Sequence, residues 1–300
     1  MRKRAVWGRL SVVVAVFAGA CVESGLPEAR EEAPPEPEVV ADFIQEAVWS
    51  ADGRRLVASW YRGDRYGLFG LLPPYPDGIP PEPSRGIPLT EGMWASWSPD
   101  GLWVAFETSR DGNGEVYRAR PDGTGPENLT LNEADDGEPE YSPDGQSIAF
   151  TSSRDAEGVR IWVMRADGSG ARVLSPDVPG DAQHGPTWSP DGRRIAFYAT
   201  AEGGEDTVYI ASADGSSVEA MGPGVFPSWS RDGRRLYFDR NDSIFWRAPQ
   251  GGPPELVVAD GFAARPSPDG RWLTFVRGSW PLSALFLFDL ETGTETPISR

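Results

Sequence analysis

Few residues of this chain could carry out nucleophilic, acid–base or metal chemistry. The 300 residues include one histidine, His184, and one cysteine, Cys21. A zinc site built from several Cys and His is therefore impossible, and a Ser-His-acid triad could use only His184. No Gly-x-Ser-x-Gly elbow occurs. We interpret His184 as a hydrogen-bonding loop residue rather than a catalyst, and we predict no catalytic residue.

Carboxylates offer the remaining route to chemistry. Asp135 and Asp136 could do acid–base work if they faced a pocket. The stretch 132–136 could also hold Ca²⁺, although it lacks EF-hand spacing. Whether carboxylates converge across a pocket, as glycoside hydrolysis requires, is a question for the fold. We predict no cofactor and no metal, with Ca²⁺ as the open alternative.

The charge balance excludes one class of partner. The chain has 28 Lys and Arg residues against 45 Asp and Glu, a net charge of −17. Binding to phosphate backbones needs a basic surface, so we expect no nucleic acid partner. No run of 18 or more apolar residues occurs, so the sequence predicts no long membrane-spanning helix.

The first 20 residues have the pattern of an export signal. A basic start is followed by a short apolar stretch and by Ala18-Gly19-Ala20-Cys21, which is similar to a bacterial lipoprotein box. That resemblance implies acylation of Cys21, with an ordinary signal peptide as the alternative. Residues 21–40 hold six Glu and four Pro and predict an acidic tether. We therefore expect a leader at 1–20, a tether at 21–40 and one domain at 41–300.

A short motif recurs six times in the domain. An aromatic residue, Ser, a variable residue, Asp and Gly follow one another, and in the last copy Pro266 replaces the aromatic. The motif predicts a tight turn with Gly in the left-handed conformation. The turn residues are Asp52, Gly53, Asp100, Gly101, Asp144, Gly145, Asp191, Gly192, Asp232, Gly233, Asp269 and Gly270.

The segment after each turn has a strand pattern. Apolar residues stand three and five positions past each Gly, on one face of a period-two strand. A third and a short fourth strand complete a unit of about 40 residues, which is typical of a propeller blade. The sequence thus predicts an all-β fold, a six-bladed β-propeller of four-stranded antiparallel blades, with almost no helix. The Trp of the motif is expected to pack between blades.

The repeated aromatic-Ser-Pro-Asp-Gly signature resembles the TolB-type, WD40-like propeller repeat over about residues 41–300. TolB itself has an N-terminal α/β domain, whereas only the tether precedes the repeats here, so the resemblance is to the family and not to TolB. It implies a fold rather than a task. It also implies that one ring face carries the Asp-Gly turns and that the longer loops on the opposite face bind partners.

On that loop face we predict a candidate partner surface of mixed charge. Its members are Arg110, Asp111, Asp135, Asp136, Arg154, Asp155, Glu205, Asp206, Asp239, Arg240 and Asp242. Solvated loops without a partner are the alternative reading, and loops on a rigid scaffold are where function concentrates. The Pro-rich stretch 73–88 is either a docking loop or a stiff surface loop.

Two functional hypotheses follow from these features. The first is a non-enzymatic, monomeric envelope lipoprotein that scaffolds protein–protein interaction, anchored through Cys21 on the periplasmic side of the outer membrane. The second is a ligand-binding or hydrolytic propeller that acts on glycan or peptide in its central channel. A degenerate remnant of a propeller peptidase is a third and weaker reading.

Overall fold

In the computed structural model the described residues are 42–62, 65–71, 87–155, 158–174, 178–180, 182–200, 204–279 and 282–298. They belong to one compact unit, Val40–Arg300. The predictions for the leader, for Cys21 and for the tether lie outside the described residues, as does most of the Pro-rich stretch 73–88. None of the described ranges forms a helix with the length and apolarity needed to cross a membrane.

The described ranges form 24 β-strands, which fall into six consecutive sets of four. Set one has β1 (Asp42–Trp49), β2 (Leu56–Arg62), β3 (Arg65–Leu71) and β4 (Ile87–Thr90); set two has β5 (Met93–Trp97), β6 (Val104–Thr108), β7 (Glu115–Ala119) and β8 (Glu127–Asn128). Set three has β9 (Asp136–Tyr141), β10 (Ser147–Asp155), β11 (Gly158–Arg165) and β12 (Arg172–Val173).

The second half of the chain repeats this organisation. Set four has β13 (Ala182–Trp188), β14 (Arg194–Thr200), β15 (Thr207–Ser212) and β16 (Val218–Pro223); set five has β17 (Val225–Trp229), β18 (Leu236–Arg240), β19 (Ser243–Arg247) and β20 (Glu255–Ala259). Set six has β21 (Phe262–Pro266), β22 (Trp272–Ser279), β23 (Leu282–Asp289) and β24 (Glu295–Pro297).

Consecutive strands within each set pair antiparallel, so the all-β class and the four-stranded antiparallel blade are confirmed. The prediction of six separate blades needs correction, because the described strands form four separate four-stranded sheets and one eight-stranded sheet. The eight-stranded sheet arises because β11 of set three and β13 of set four form a short parallel pair, Val159 with Ala182.

The sets pack side by side into a closed ring. The first strands of the sets contact one another in the order β1, β5, β9, β13, β17, β21, and β21 contacts β1 again. An apolar cluster fills each of the six junctions between neighbouring sets. The cluster between the last and the first set includes Leu285 and Leu287 of β23 with Ile44 and Leu56. The first strands therefore line the middle of the ring.

The apolar pattern read from the sequence corresponds to this core. Every residue three or five positions past a turn Gly is buried. These residues are Leu56, Ala58, Val104, Phe106, Ile148, Phe150, Ile195, Phe197, Leu236, Phe238, Leu273 and Phe275. Burial of such side chains is the main stabilising term in folding.

Candidate functional site

The six Asp-Gly turns lie at one end of the central strands and have a common internal structure. The Ser hydroxyl of each turn donates to the Asp carboxylate at 2.5 to 2.7 Å. Each Gly has φ between 67° and 76° and donates its N–H to the Ser carbonyl. The Ser hydroxyl holds the pKa of five of these carboxyls below the usual value, those of Asp52, Asp100, Asp144, Asp191 and Asp232.

A cavity of about 350 Å³ opens among these turns, in the middle of the ring. We call it the central cavity. All six sets contribute to it, and its rim carries turn residues such as Ala51, Pro143 and Arg231. In each set the residue directly before the motif aromatic lines the cavity. These six residues are Val48, Ser96, Glu140, Thr187, Ser228 and Arg265.

Arg265 is the cation of the cavity floor. Its Nη2 lies 3.1 Å from Oε2 of Glu46, whose side chain is 2% exposed, and Nη1 donates to the carbonyl of Pro227 at 3.4 Å. Burial raises the pKa of Glu46, while the adjacent Arg265 charge opposes the shift. The pair joins set one to set six, its neighbour in the closed ring.

Glu140 is the carboxylate that faces the cavity. Its Oε1 accepts hydrogen bonds from the Thr187 hydroxyl at 2.8 Å and from the Trp188 N–H at 3.2 Å. The Trp188 indole also donates to the Glu140 carbonyl, and the Trp229 indole donates to the Thr187 carbonyl. These indole bonds join neighbouring sets, so the predicted role of the motif Trp between blades is confirmed at these two positions.

A backbone bulge interrupts the first strands below the cavity floor. Trp94, Glu138, Phe226 and Ala263, each three residues before the motif aromatic position, have φ between 48° and 54°. Such φ values are uncommon outside Gly, and bulges re-aim side chains. The rings of Trp94 in set two and Phe226 in set five stack at 6.0 Å. Because those sets lie opposite each other in the ring, the two aromatics meet across the central channel.

Two of the bulges donate a main-chain N–H to a carboxylate of the preceding set. Oε2 of Glu107 accepts the Glu138 N–H at 3.2 Å, and Oδ2 of Asp239 accepts the Ala263 N–H at 2.6 Å. Burial raises the pKa of Glu107 to about 7 and that of Asp239 to about 8. A charged carboxylate loses hydration when it is buried, so burial favours the neutral, protonated form at these positions.

His184 is placed differently from the prediction of a loop residue. It lies in β13, where Nδ1 is 3.3 Å from Oε1 of Glu138 and the ring packs against Tyr198 at 5.4 Å. Burial by itself lowers the pKa of His184, but the hydrogen bond and charge of Glu138 outweigh it and the net shift is upward. The prediction of a hydrogen-bonding role for this side chain is consistent with that contact.

Two members of the predicted partner surface are not surface residues. Asp136 is 1% exposed and lies in β9, where Oδ2 accepts Arg154 Nη2 at 2.6 Å. Asp239 is 4% exposed and lies in β18. The sequence analysis placed both on the loop face of the repeat, whereas each is a buried hydrogen-bond acceptor next to the end of a strand.

The other members lie at the loop end of the sets and mostly bond within the chain. Arg110 donates to Thr90 and to the Glu91 carbonyl, and Asp111 accepts from the Tyr117 hydroxyl. Asp135 accepts the Gly114 N–H at 2.9 Å, and Arg240 lies 3.9 Å from Glu205. Asp155 pairs with Gly158 at a hairpin end, and the carbonyls of Asp206 and Asp242 accept the Gly224 and Gly261 N–H groups. A partner surface at these residues stays a prediction.

Glu46, Glu140 and Arg265 were missed from the sequence. Glu140 and Arg265 directly precede the motif aromatic position, where the other sets have Val, Ser or Thr. The available signal was a charged residue at a repeat position where the other sets have a small or apolar residue. Among the described residues no group of three or more His, Cys, Asp or Glu is arranged to hold a metal ion.

Comparison with known proteins agrees with the repeat. Residues 90–184 match the family model described as the TolB beta propeller domain. The solved structure of a putative TolB from Agrobacterium tumefaciens is similar with a TM-score of 0.62 and 24% identity, over 76% of this chain and 87% of that one. The resemblance to TolB-type propeller repeats is therefore confirmed.

Two further solved structures are similar to this chain. TolB from Acinetobacter baumannii has a TM-score of 0.53 and 18% identity over 85% of this chain, which spans only 53% of that protein. An oligogalacturonate lyase from Vibrio parahaemolyticus has a TM-score of 0.57 and 13% identity, over 85% of this chain and 79% of that one. No curated protein sequence matches the chain. At such identities the likeness shows the propeller fold, and function has to be argued from the site.

Proposed function

We propose that this protein is a non-enzymatic interaction scaffold of the bacterial envelope and that a segment of a protein partner enters the central cavity. The observation that carries the proposal is the cavity itself, an opening of about 350 Å³ to which all six sets contribute. Concave sites with aromatic walls and a few fixed polar groups are the usual place for a ligand. Each of the six sets acts as one blade in this proposal, with sets three and four as two blades of the joined sheet.

The envelope location rests on the sequence and on the similar proteins. The leader and the Cys21 motif support export and lipid anchoring, and the similarity to TolB structures supports a periplasmic location. Several side chains of the loop face, those of Arg110, Asp111 and Asp135, already bond within the chain, so the cavity is the stronger candidate for the partner. The loop surface is a second candidate.

Affinity capture from envelope extract tests the proposal if the cavity mouth can be blocked. Ala51 is an exposed rim residue of the cavity, and Ala51→Trp places a bulky side chain there. Ala220→Trp, at an exposed position of the outer strand β16, is the matched control. We expect a stoichiometric partner with the wild type and with Ala220→Trp that is lost with Ala51→Trp. Retention by Ala51→Trp would place the partner elsewhere.

A ligand-binding or hydrolytic propeller is the second candidate, and the floor carboxylates favour it. Burial raises the pKa of Glu140, which lines the cavity near the Glu46–Arg265 pair. A carboxyl group with a raised pKa can act as a general acid. Incubation with polysaccharide or peptide substrates tests this reading. Product release that disappears in Glu140→Gln would favour it over the scaffold.

A further inference from the structure

The walls of the central cavity are rich in aromatic rings that accept cations. Trp49, Trp97, Trp188 and Trp229 line it together with Tyr141. Two of these indoles already carry a guanidinium group of this chain, because Arg55 lies 4.5 Å from the ring centre of Trp97 and Arg194 lies 4.7 Å from that of Trp229. The faces of Trp rings attract cations, more strongly when the contact is shielded from water.

The charges of the cavity floor do not balance. Arg265 is bonded to Glu46 at 3.1 Å and to a main-chain carbonyl, so its guanidinium is already engaged. Glu140 has neutral partners only, the Thr187 hydroxyl and the Trp188 N–H, and both bind Oε1. Among the described residues no hydrogen bond reaches Oε2 of Glu140. One Arg thus faces two carboxylates, and although burial raises the pKa of both, the Arg265 charge opposes that shift and favours their charged forms.

From this arrangement we propose that the central cavity selects a cationic side chain, Arg or Lys, from the segment of a protein partner, and that Glu140 is the residue that pairs with it. The inference rests on the proposed entry of a partner segment into the cavity. An incoming cation gains a carboxylate and the wall formed by Trp49, Tyr141 and Trp188, since Arg55 and Arg194 already cover Trp97 and Trp229. An anionic side chain would meet Glu140 and an Arg265 that is already paired. The rim cation Arg231 is exposed, so solvent screens its repulsion.

Calorimetric titration of the full-length chain with three capped peptides distinguishes a preference for positive charge from binding that does not depend on charge. The peptides are acetyl-Pro-Arg-Pro-amide, its neutral citrulline analogue and acetyl-Pro-Glu-Pro-amide. We expect the Arg peptide to bind at least about tenfold more tightly than the citrulline peptide, and the Glu peptide to bind most weakly. Raising the salt concentration should reduce the preference for Arg.

Substitution of Glu140 assigns the preference to one residue. Glu140→Gln keeps an oxygen that can accept from Thr187 and Trp188, so the fold is expected to persist, and an unchanged Tm checks this. The Arg preference should fall about tenfold in Glu140→Gln and stay in Glu255→Gln, a control at an exposed position of β20. Persistence of the preference in Glu140→Gln would overturn the role of Glu140.

The remaining outcomes separate the inference from the proposed function. Equal binding of all three peptides, lost in Ala51→Trp, would overturn charge selection and leave the cavity as a binding site. A preference for the Glu peptide would overturn the inference in the same way. No binding of any peptide would overturn both the inference and the proposed entry of a partner segment.

Discussion

Single residues join neighbouring sets through the bulges of the first strands. Ser59, Glu107 and Asp239 stand six residues past their turn Gly, and each accepts the N–H of a bulge residue in the next set. The Ser59 hydroxyl accepts its hydrogen bond without a charge. The carboxyl groups of Glu107 and Asp239 can accept theirs whether protonated or charged, but burial favours the protonated form, so the stability of these junctions depends on pH.

The direction of that sensitivity follows from the raised pKa values. A group whose folded-state pKa is raised stabilises the fold fully below its unfolded pKa, and this contribution is lost as pH rises through the folded pKa. For Asp239 the window runs from about 4 to about 8, and for Glu107 from about 4.5 to about 7. We therefore expect stability to fall as pH rises from 5 to 9.

Asp239→Asn should reduce that loss, because the amide oxygen can still accept the Ala263 N–H and carries no charge. At pH 9 we expect Asp239→Asn to have a higher Tm than the wild type and a free energy of unfolding larger by about 1 to 3 kcal/mol, with little effect at pH 5. Thermal unfolding at both pH values measures this. Asp242→Asn, at an exposed position nearby, is the control. Equal effects of Asp239→Asn at pH 5 and pH 9 would contradict the account.

At the scale of elements, much of the structure could be predicted from local sequence. The turn motif and the period-two apolar pattern predicted the strands, because both depend on neighbours in the chain. The bulges could not be predicted, since Trp94, Glu138 and Phe226 are residues that rarely adopt positive φ. The merging of sets three and four depends on the short parallel pairing of β11 with β13 at Val159 and Ala182, which no local pattern encodes.

The channel residues show the same limit. A period-two pattern says which residues share a strand face, but not that the first strand of every set faces the centre of a ring. Glu140 and Arg265 were therefore not singled out from the sequence, and the functional prediction went to the polar loops. Asp136 and Asp239 look like loop residues by type, while burial and hydrogen bonds identify them as part of the packed interior.

Phe197→Ala tests the strand assignment. Phe197 is fully buried, pairs with Tyr209 across β14 and β15, and stacks on its ring at 5.6 Å. Removing a buried Phe leaves a cavity, so we expect a loss of about 3 to 5 kcal/mol in chemical denaturation. Leu256→Ala, at a position 58% exposed, should cost less than about 0.5 kcal/mol. Similar small effects of both substitutions would be inconsistent with the core described above.

On the scale of the whole molecule, ring closure brings the ends of the domain together. Ser283 of β23 both accepts the Ile44 N–H at 2.7 Å and donates to the Ile44 carbonyl at 2.8 Å. Together with the apolar cluster of Leu285, Leu287 and Ile44, these bonds join the last set to the first. A closed ring leaves few free sheet edges.

Ser283→Ala should weaken that closure, because it leaves two main-chain groups of Ile44 without their partner. We expect a loss of about 1 to 2 kcal/mol in the free energy of unfolding. Ser216→Ala, in an exposed turn, is the control and should stay near the wild-type value. Hydrogen exchange at the Ile44 amide should rise in Ser283→Ala. Unchanged exchange there would argue against closure through this contact.

Site-specific photo-cross-linking in the envelope tests the central claim most directly. A photoreactive residue in place of Arg231 would stand at the cavity rim, one in place of Asp242 on the loop surface, and one in place of Glu255 on an outer strand. Amine-reactive reagents are unsuitable because Lys3, in the expected leader, is the only lysine. The account predicts one discrete adduct from the Arg231 position that disappears in Ala51→Trp and is missing from the Glu255 position. Adducts that form only from the Asp242 position would contradict it and assign the partner to the loop surface.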